Sequence, residues 1–144
     1  MATPDDVAAV TSLTRAAYAK WVPVIGREPL PMKADYAVAI RDHRIDLLCD
    51  ESEVAALVET IQRPGDLLIE NVAVAPHFQK RGYGRRMLAH AEQIAIQSGL
   101  PEVRLYTNAK FATNLRLYES LGYAVERVEP LYGGIIVHML KRVP

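Results

Sequence analysis

The residues whose types are best suited to binding a ligand form a short glycine loop in the middle of the chain. In order they are Gln79, Lys80, Arg81, Gly82, Tyr83, Gly84 and Arg85. Glycine lets the backbone approach a ligand closely, and the free amides and dipole of a helix start attract an anion. The loop is therefore suited to a phosphate or pyrophosphate group, unless its glycines serve only the packing of the helix start.

Two common phosphate-binding loops do not match this stretch. A Walker loop ends in Gly-Lys followed by Ser or Thr, and the chain contains no Gly-Lys pair. A dinucleotide fingerprint requires a third glycine near position 87, where Met87 stands. The loop follows an apolar strand and precedes a helix, so any phosphate site here is of another kind.

The loop resembles the Gln/Arg-x-x-Gly-x-Gly/Ala pyrophosphate loop of the GNAT superfamily, and the stretch from Asn114 to Tyr123 looks like that family's second coenzyme A segment. The resemblance implies acetyl-coenzyme A as cosubstrate. No metal is expected, because a chain with one cysteine has no Cys/His cluster with zinc spacing. The resemblance also implies transfer of the acetyl group to a primary amine by direct attack in a ternary complex. The alternative is a non-catalytic acyl-coenzyme A sensor or interaction domain of the same fold.

The resemblance also implies which residues hold the cofactor. The strand residues Val72, Ala73 and Val74 would pair with the pantetheine arm as if it were an added strand, and the amide of Val72 would polarise the thioester. The backbone from Lys80 to Arg85 would hold the pyrophosphate. Asn114 would contact the cofactor arm, or cap its helix. Phe111 stands where the family more often has an asparagine.

Two side chains are candidates for the chemical step. By the resemblance, Tyr118 would donate a proton to the departing thiolate; otherwise it is a half-buried core tyrosine. An amine must lose a proton to attack, which requires a base. Glu70 is the candidate because an unpaired carboxylate on an apolar strand would be desolvated, although it could instead be salt-bridged or exposed at an edge. His138 is a weaker candidate for lining the acceptor pocket.

Hydrophobic periodicity and turn residues predict the elements that position these groups. A first helix begins at the Thr3 cap and ends at Pro23. Further helices are expected at 34–42, 85–98 and 113–121, and strands at 45–49, 54–61, 67–74, 103–107, 123–128 and 135–141. The predicted fold is a single α/β (α+β) domain over residues 1–144. Its mostly antiparallel, twisted sheet of about six strands is flanked by helices and splayed where strands 67–74 and 103–107 diverge.

Composition limits the partners. Seventeen basic residues balance seventeen acidic ones, which argues against nucleic acid or a membrane surface as a partner. The single cysteine, Cys49, excludes an internal disulfide and fits a reducing cytoplasm. Residues 22–34 and 129–136, including Tyr132, are expected to line the acceptor pocket. The expected acceptor is a small-molecule amine or a protein amine, and a homodimer is left open.

Overall fold

The computed structural model describes residues 1–131 and 133–144, so the expectation for Tyr132 lies outside the described residues. The helices are α1 (Val7–Tyr18), α2 (Val22–Ile25), α3 (Tyr36–Asp42), α4 (Tyr83–Gln97) and α5 (Ala112–Ser120). The strands are β1 (Arg44–Asp50), β2 (Glu53–Arg63), β3 (Asp66–Val74), β4 (Glu102–Asn108), β5 (Ala124–Leu131) and β6 (Gly134–Arg142). None of these helices is long and apolar enough to cross a membrane.

The six strands form one sheet in the order β1-β2-β3-β4-β6-β5, in which only β3 and β4 are parallel neighbours. This confirms the predicted mostly antiparallel sheet with β3 at its centre. The pairing of β3 with β4 stops at Ile69 and Leu105, although both strands continue. Glu70 is an extra residue in β3, because Asn71 pairs with Glu59 while Ile69 pairs with Thr60. This bulge lies where β3 separates from β4, as the predicted splay requires.

Helices cover both faces of the sheet because successive strand side chains point to opposite faces. On β2, Val58 belongs to the core beneath α4 and α5, whereas Leu57 belongs to the core beneath α1 and α3. The apolar stripe predicted for the long helix faces the sheet and consists of Met87, Leu88, Ala91, Ile94 and Ala95. The sheet thus holds the ends of β3 and β4 rigidly between two cores.

The predicted end of the first helix at Pro23 is wrong. Helix α1 ends at Tyr18, a 3-10 turn follows over Ala19–Trp21, and α2 carries Pro23 in its first turn. Proline is tolerated there because the first amides of a helix have no intrahelical acceptor. The chain therefore stays helical past Pro23. The helical segment ends only at Gly26, whose φ is 75°. This path brings the end of α1 over the open part of β3.

Candidate active site

The open edge of β3 provides backbone groups that the sheet does not use. The amide of Ala75 donates to the carbonyl of Ala55 in β2 at 2.9 Å. Backbone groups alternate sides along a strand, so those of Ala73 also face β2, whereas those of Val72 and Val74 face the gap beside β4. The amides of Val72 and Val74 are therefore directed at any extended ligand that enters the gap.

Two side chains hold the carbonyl groups on this edge. The Tyr18 hydroxyl lies 3.3 Å from the carbonyl oxygen of Val72 and donates to Asn71 Oδ1 at 2.9 Å. Burial, the largest cause, raises the pKa of Tyr18 well above its usual value, so the hydroxyl stays protonated. Gln79 donates from Nε2 to the carbonyl oxygen of Val74 at 3.1 Å. With both carbonyls occupied, the amides are what the edge offers to a ligand.

The glycine loop ends in a cluster of free amides. Lys80 and Gly82 both have left-handed backbones, with φ of 67° and 83°, and α4 starts directly after Gly82. The first helical hydrogen bond runs from the amide of Arg86 to the carbonyl of Gly82 at 3.1 Å. The amides of residues 83–85 therefore have no acceptor within the helix, and the helix dipole adds positive potential there. These features fit an anion such as a pyrophosphate.

A cleft of about 320 Å³ joins the open strand edge to this loop. Arg81 does not line it, because its guanidinium carbon lies 5.3 Å above the ring of Phe78. Asn114 follows two residues after the start of α5, whose N-cap is Phe111, so it faces the cleft and does not cap the helix. The predicted cofactor residues that line the cleft are Val72, Ala73, Val74, Gln79, Lys80, Gly82, Tyr83, Gly84, Arg85 and Asn114.

Lys20 adds a positive charge to this cleft that the sequence did not suggest. Its ammonium group donates to Gln79 Oε1 at 3.2 Å. Partial burial, and then the nearby charge of Lys80, lower the pKa of Lys20. Both lysines line the cleft. Two ammonium groups at one site repel each other until an anion lies between them, which again favours a phosphate ligand.

A second cavity, of about 80 Å³, meets the cleft from the other side of the β3–β4 gap. Tyr18, Val72 and Tyr118 line both spaces, so the two spaces meet at these residues. Of these two spaces, Glu70, the bulge residue, lines the second and not the cleft. The expectation that its carboxylate is unpaired is wrong, because the Tyr106 hydroxyl donates to Glu70 Oε1 at 2.6 Å.

Tyr118 lies at the meeting point of the two cavities. Its side chain is buried, and burial raises the pKa of its hydroxyl to about 12. Its ring packs edge-on against Tyr123, with the ring centroids 6.2 Å apart. Among residues 1–131 and 133–144, its hydroxyl has no hydrogen-bond partner. A protonated hydroxyl without a partner at this point can donate to a ligand atom.

Aromatic packing explains the residue at the family's asparagine position. Phe111 stacks on Trp21, the last residue of the 3-10 turn that follows α1, with ring centroids 4.6 Å apart and planes 18° apart. Phe111 lines the second cavity and Trp21 lines the cleft. His138 does not line either space, because it pairs through Nε2 with Glu129 at 2.7 Å. His138 thus does not fill the weaker role in the acceptor pocket that the sequence left open, and the sequence did not indicate Trp21.

Curated proteins similar to this chain are named as acetyltransferases. The [Ribosomal protein bS18]-alanine N-acetyltransferase of Salmonella typhimurium is 34% identical over 76 residues, which are 53% of this chain and 51% of that protein. The Escherichia coli K12 protein of the same name is 32% identical over the same extent. The chain thus spans about half the length of the curated relatives it matches.

Solved structures share the fold over nearly the whole chain. The ribosomal-protein-S18-alanine N-acetyltransferase of Escherichia coli has a TM-score of 0.79 at 20% identity, over 99% of this chain and 90% of that one. The PaiA N-acetyltransferase of Thermoplasma acidophilum, solved with coenzyme A, has a TM-score of 0.78 at 16% identity, over 95% and 94%. The family model of the Acetyltransferase (GNAT) family matches residues 10–123. This chain belongs to the GNAT acetyltransferase family.

Proposed function

We propose that residues 1–144 form one acetyl-coenzyme A-dependent N-acetyltransferase domain, which acts on a primary amine by direct attack in a ternary complex. The observation that carries this proposal is the meeting of two separate spaces at Tyr18, Val72 and Tyr118. One space fits a long anionic cofactor and the other contains a carboxylate. Two substrates that enter from opposite sides would meet there without a covalent enzyme intermediate.

The cleft supports the assignment of acetyl-coenzyme A as cosubstrate. Residues 83–85 would hold the pyrophosphate through their free amides, with Lys20 and Lys80 beside it. The amide of Val74 would pair with the pantetheine arm, and the amide of Val72 would donate to the thioester oxygen. The latter bond strengthens as negative charge develops on that oxygen, so it lowers the barrier for acyl transfer.

Glu70 is the proposed base for the acceptor amine. Its carboxylate lines the second cavity, and the hydrogen bond from Tyr106 holds it in place. A carboxylate that accepts one hydrogen bond keeps further lone pairs for an incoming ammonium group. Glu70 would then receive the proton that the amine must lose before its nitrogen attacks.

Tyr118 is the proposed donor to the leaving sulfur. Its hydroxyl is protonated at neutral pH, and it lies where both spaces meet. Both a small-molecule amine and a protein amine remain candidates as acceptor. The curated relatives are named for the alanine of a ribosomal protein.

The test is amine-dependent release of free coenzyme A thiol from acetyl-coenzyme A, with the acetylated amine identified by mass spectrometry. A mixed panel of small amines and peptides serves as acceptor, and protein without amine serves as the control. We expect thiol and acetylated amine in equal amounts. Binding of acetyl-coenzyme A without turnover on any amine would favour the sensor alternative.

A further inference from the structure

The second cavity contains a pair of hydrogen-bond donors that the proposed chemistry does not use. Arg27 comes from the segment between α2 and α3, and Asn108 is the last residue of β4. Both side chains lie next to the position that a Cβ atom would occupy on Gly134, the first residue of β6. A Cβ atom at Gly134 would lie 3.3 Å from Arg27 Nη2 and 3.5 Å from Asn108 Nδ2. The carbonyl oxygen of Leu131 lies 3.8 Å from the same point, so two donor nitrogens and one backbone acceptor flank one small space.

Neither donor is satisfied by the described part of the protein. Asn108 Oδ1 accepts from the amide of Lys110 at 2.9 Å, which orients the amide group and leaves Nδ2 to donate elsewhere. Within residues 1–131 and 133–144, Asn108 Nδ2 has no acceptor and Arg27 has no ion pair. Asn108 is buried and Arg27 is half-buried. Both side chains line the second cavity, so their nitrogens are left to donate to a ligand there.

We propose that Arg27 and Asn108 form a carboxylate-binding subsite, and that the acceptor is a small amine that carries a carboxylate, as an amino acid does. The inference rests on the proposed function, because that function places the amine at Glu70. The cavity then has one negative and one positive side chain, which match the two charges of such an acceptor. A planar guanidinium beside an amide donor suits the two oxygens of a carboxylate.

The remaining walls and the size of the cavity support a small acceptor. The cavity measures about 80 Å³, and apolar side chains including Ile25, Phe111 and Ile136 line it together with the charged groups. Such walls exclude water and strengthen both charge contacts. Gly134 does not have a left-handed backbone, so alanine is compatible with its conformation. Gly134→Ala would therefore fill the subsite while leaving Glu70 and Tyr118 unchanged.

The test compares three matched acceptors for each of several amino acids: the free amino acid, its carboxamide and the decarboxylated amine. The readouts are kcat/KM from thiol release and calorimetric binding to the protein–coenzyme A complex. We expect the free amino acid to be preferred by about 10- to 100-fold, the usual effect of a charge-assisted hydrogen bond. Arg27→Gln and Gly134→Ala should abolish the preference without lowering kcat/KM for the decarboxylated amine. Arg116→Gln, which removes an exposed guanidinium that lines neither space, is the control.

Several results would overturn the subsite. One is equal kcat/KM of the parent for the three acceptors, and another is an equal decrease in kcat/KM for all three in Arg27→Gln. Preferred turnover of a peptide's amino terminus, with no binding of free amino acids, would also overturn it. Carboxylate-dependent binding that is lost in Arg27→Gln, but with no turnover of any amine, would uphold the subsite and contradict the transferase proposal instead. The binding readout thus separates the two failures.

Discussion

Replacing Tyr118 by phenylalanine removes one hydroxyl from the meeting point of the two cavities and keeps the ring. The pKa of this hydroxyl is raised to about 12 by burial, whereas an alkyl thiol has a pKa of about 8.5. Complete proton transfer to the thiolate is therefore unfavourable in isolation. The hydroxyl should act mainly as a hydrogen-bond donor to the charge that develops on sulfur.

The size of the effect follows from this role. A hydrogen bond to a charged group contributes about 1.5–3 kcal/mol, which corresponds to a decrease of about 10- to 150-fold in kcat for Tyr118→Phe. Affinity for acetyl-coenzyme A should change little, because the charge on sulfur develops only during the reaction. The Tm should equal or exceed that of the parent, since the hydroxyl has no partner among the described residues to lose.

The assay is kcat across pH 6 to 9, with affinity for acetyl-coenzyme A measured separately by calorimetry. Tyr123→Phe is the matched control, because Tyr123 packs against the same ring and lines neither cavity. The Tyr123→Phe variant loses only the hydrogen bond of 3.2 Å that the Tyr123 hydroxyl donates to Glu92, so its kcat should equal that of the parent. Parental kcat in Tyr118→Phe throughout this range would refute the role of this hydroxyl as a hydrogen-bond donor to the leaving sulfur. Lost affinity with intact kcat would make Tyr118 a cofactor-positioning residue.

Three further predictions concern the loop and the carboxylates. Gly84→Val should abolish acetyl-coenzyme A binding in calorimetry, whereas Gly84→Ala should retain it. A single Cβ at Gly84 makes only ordinary contacts, at 3.6 Å with Leu117 and 3.9 Å with Val74. Equal affinities of the two variants for acetyl-coenzyme A would contradict the loop assignment. Glu70→Gln should lower kcat/KM by about 10²-fold with unchanged acetyl-coenzyme A affinity, and parental turnover would exclude Glu70 as the base. Burial raises the pKa of Glu59, so its stabilising contribution is present below the usual glutamate pKa and is lost as the pH rises through the folded value. The Tm of Glu59→Gln relative to the parent should therefore increase as the pH rises above the usual glutamate pKa of about 4.3; a difference that does not change with pH would contradict this.

Local sequence signals were sufficient for most of the fold. Strand β3 reads as an apolar run, and it lies third of six in the sheet, as that pattern predicts. The glycines and the apolar stripe of α4 placed the start and the buried face of that helix to within two residues. The boundary at Pro23 was wrong because proline is as compatible with a helix start as with a helix end.

The site was less predictable because its contacts join segments that are distant in the chain. Tyr18 reaches Val72 across 54 residues, and Tyr106 reaches Glu70 across 36. No local spacing indicates such pairs, since the packing of α1 and the pairing of β4 decide them. Arg27 likewise lies in a loop without regular periodicity. Gly134 was the available signal, because a strand glycine often marks close approach of other groups.

We expect the cleft beside Val72, Val74 and the glycine loop to bind acetyl-coenzyme A. The most direct test is the thermal stability of the protein with acetyl-coenzyme A, NADH or ATP at equal concentrations. A ligand that binds only the folded state at a hundredfold excess over Kd stabilises it by about 2.7 kcal/mol. We predict a clear rise in Tm with acetyl-coenzyme A and smaller rises with the two nucleotides. An unchanged Tm at millimolar acetyl-coenzyme A, together with a rise for NADH or ATP, would contradict the account.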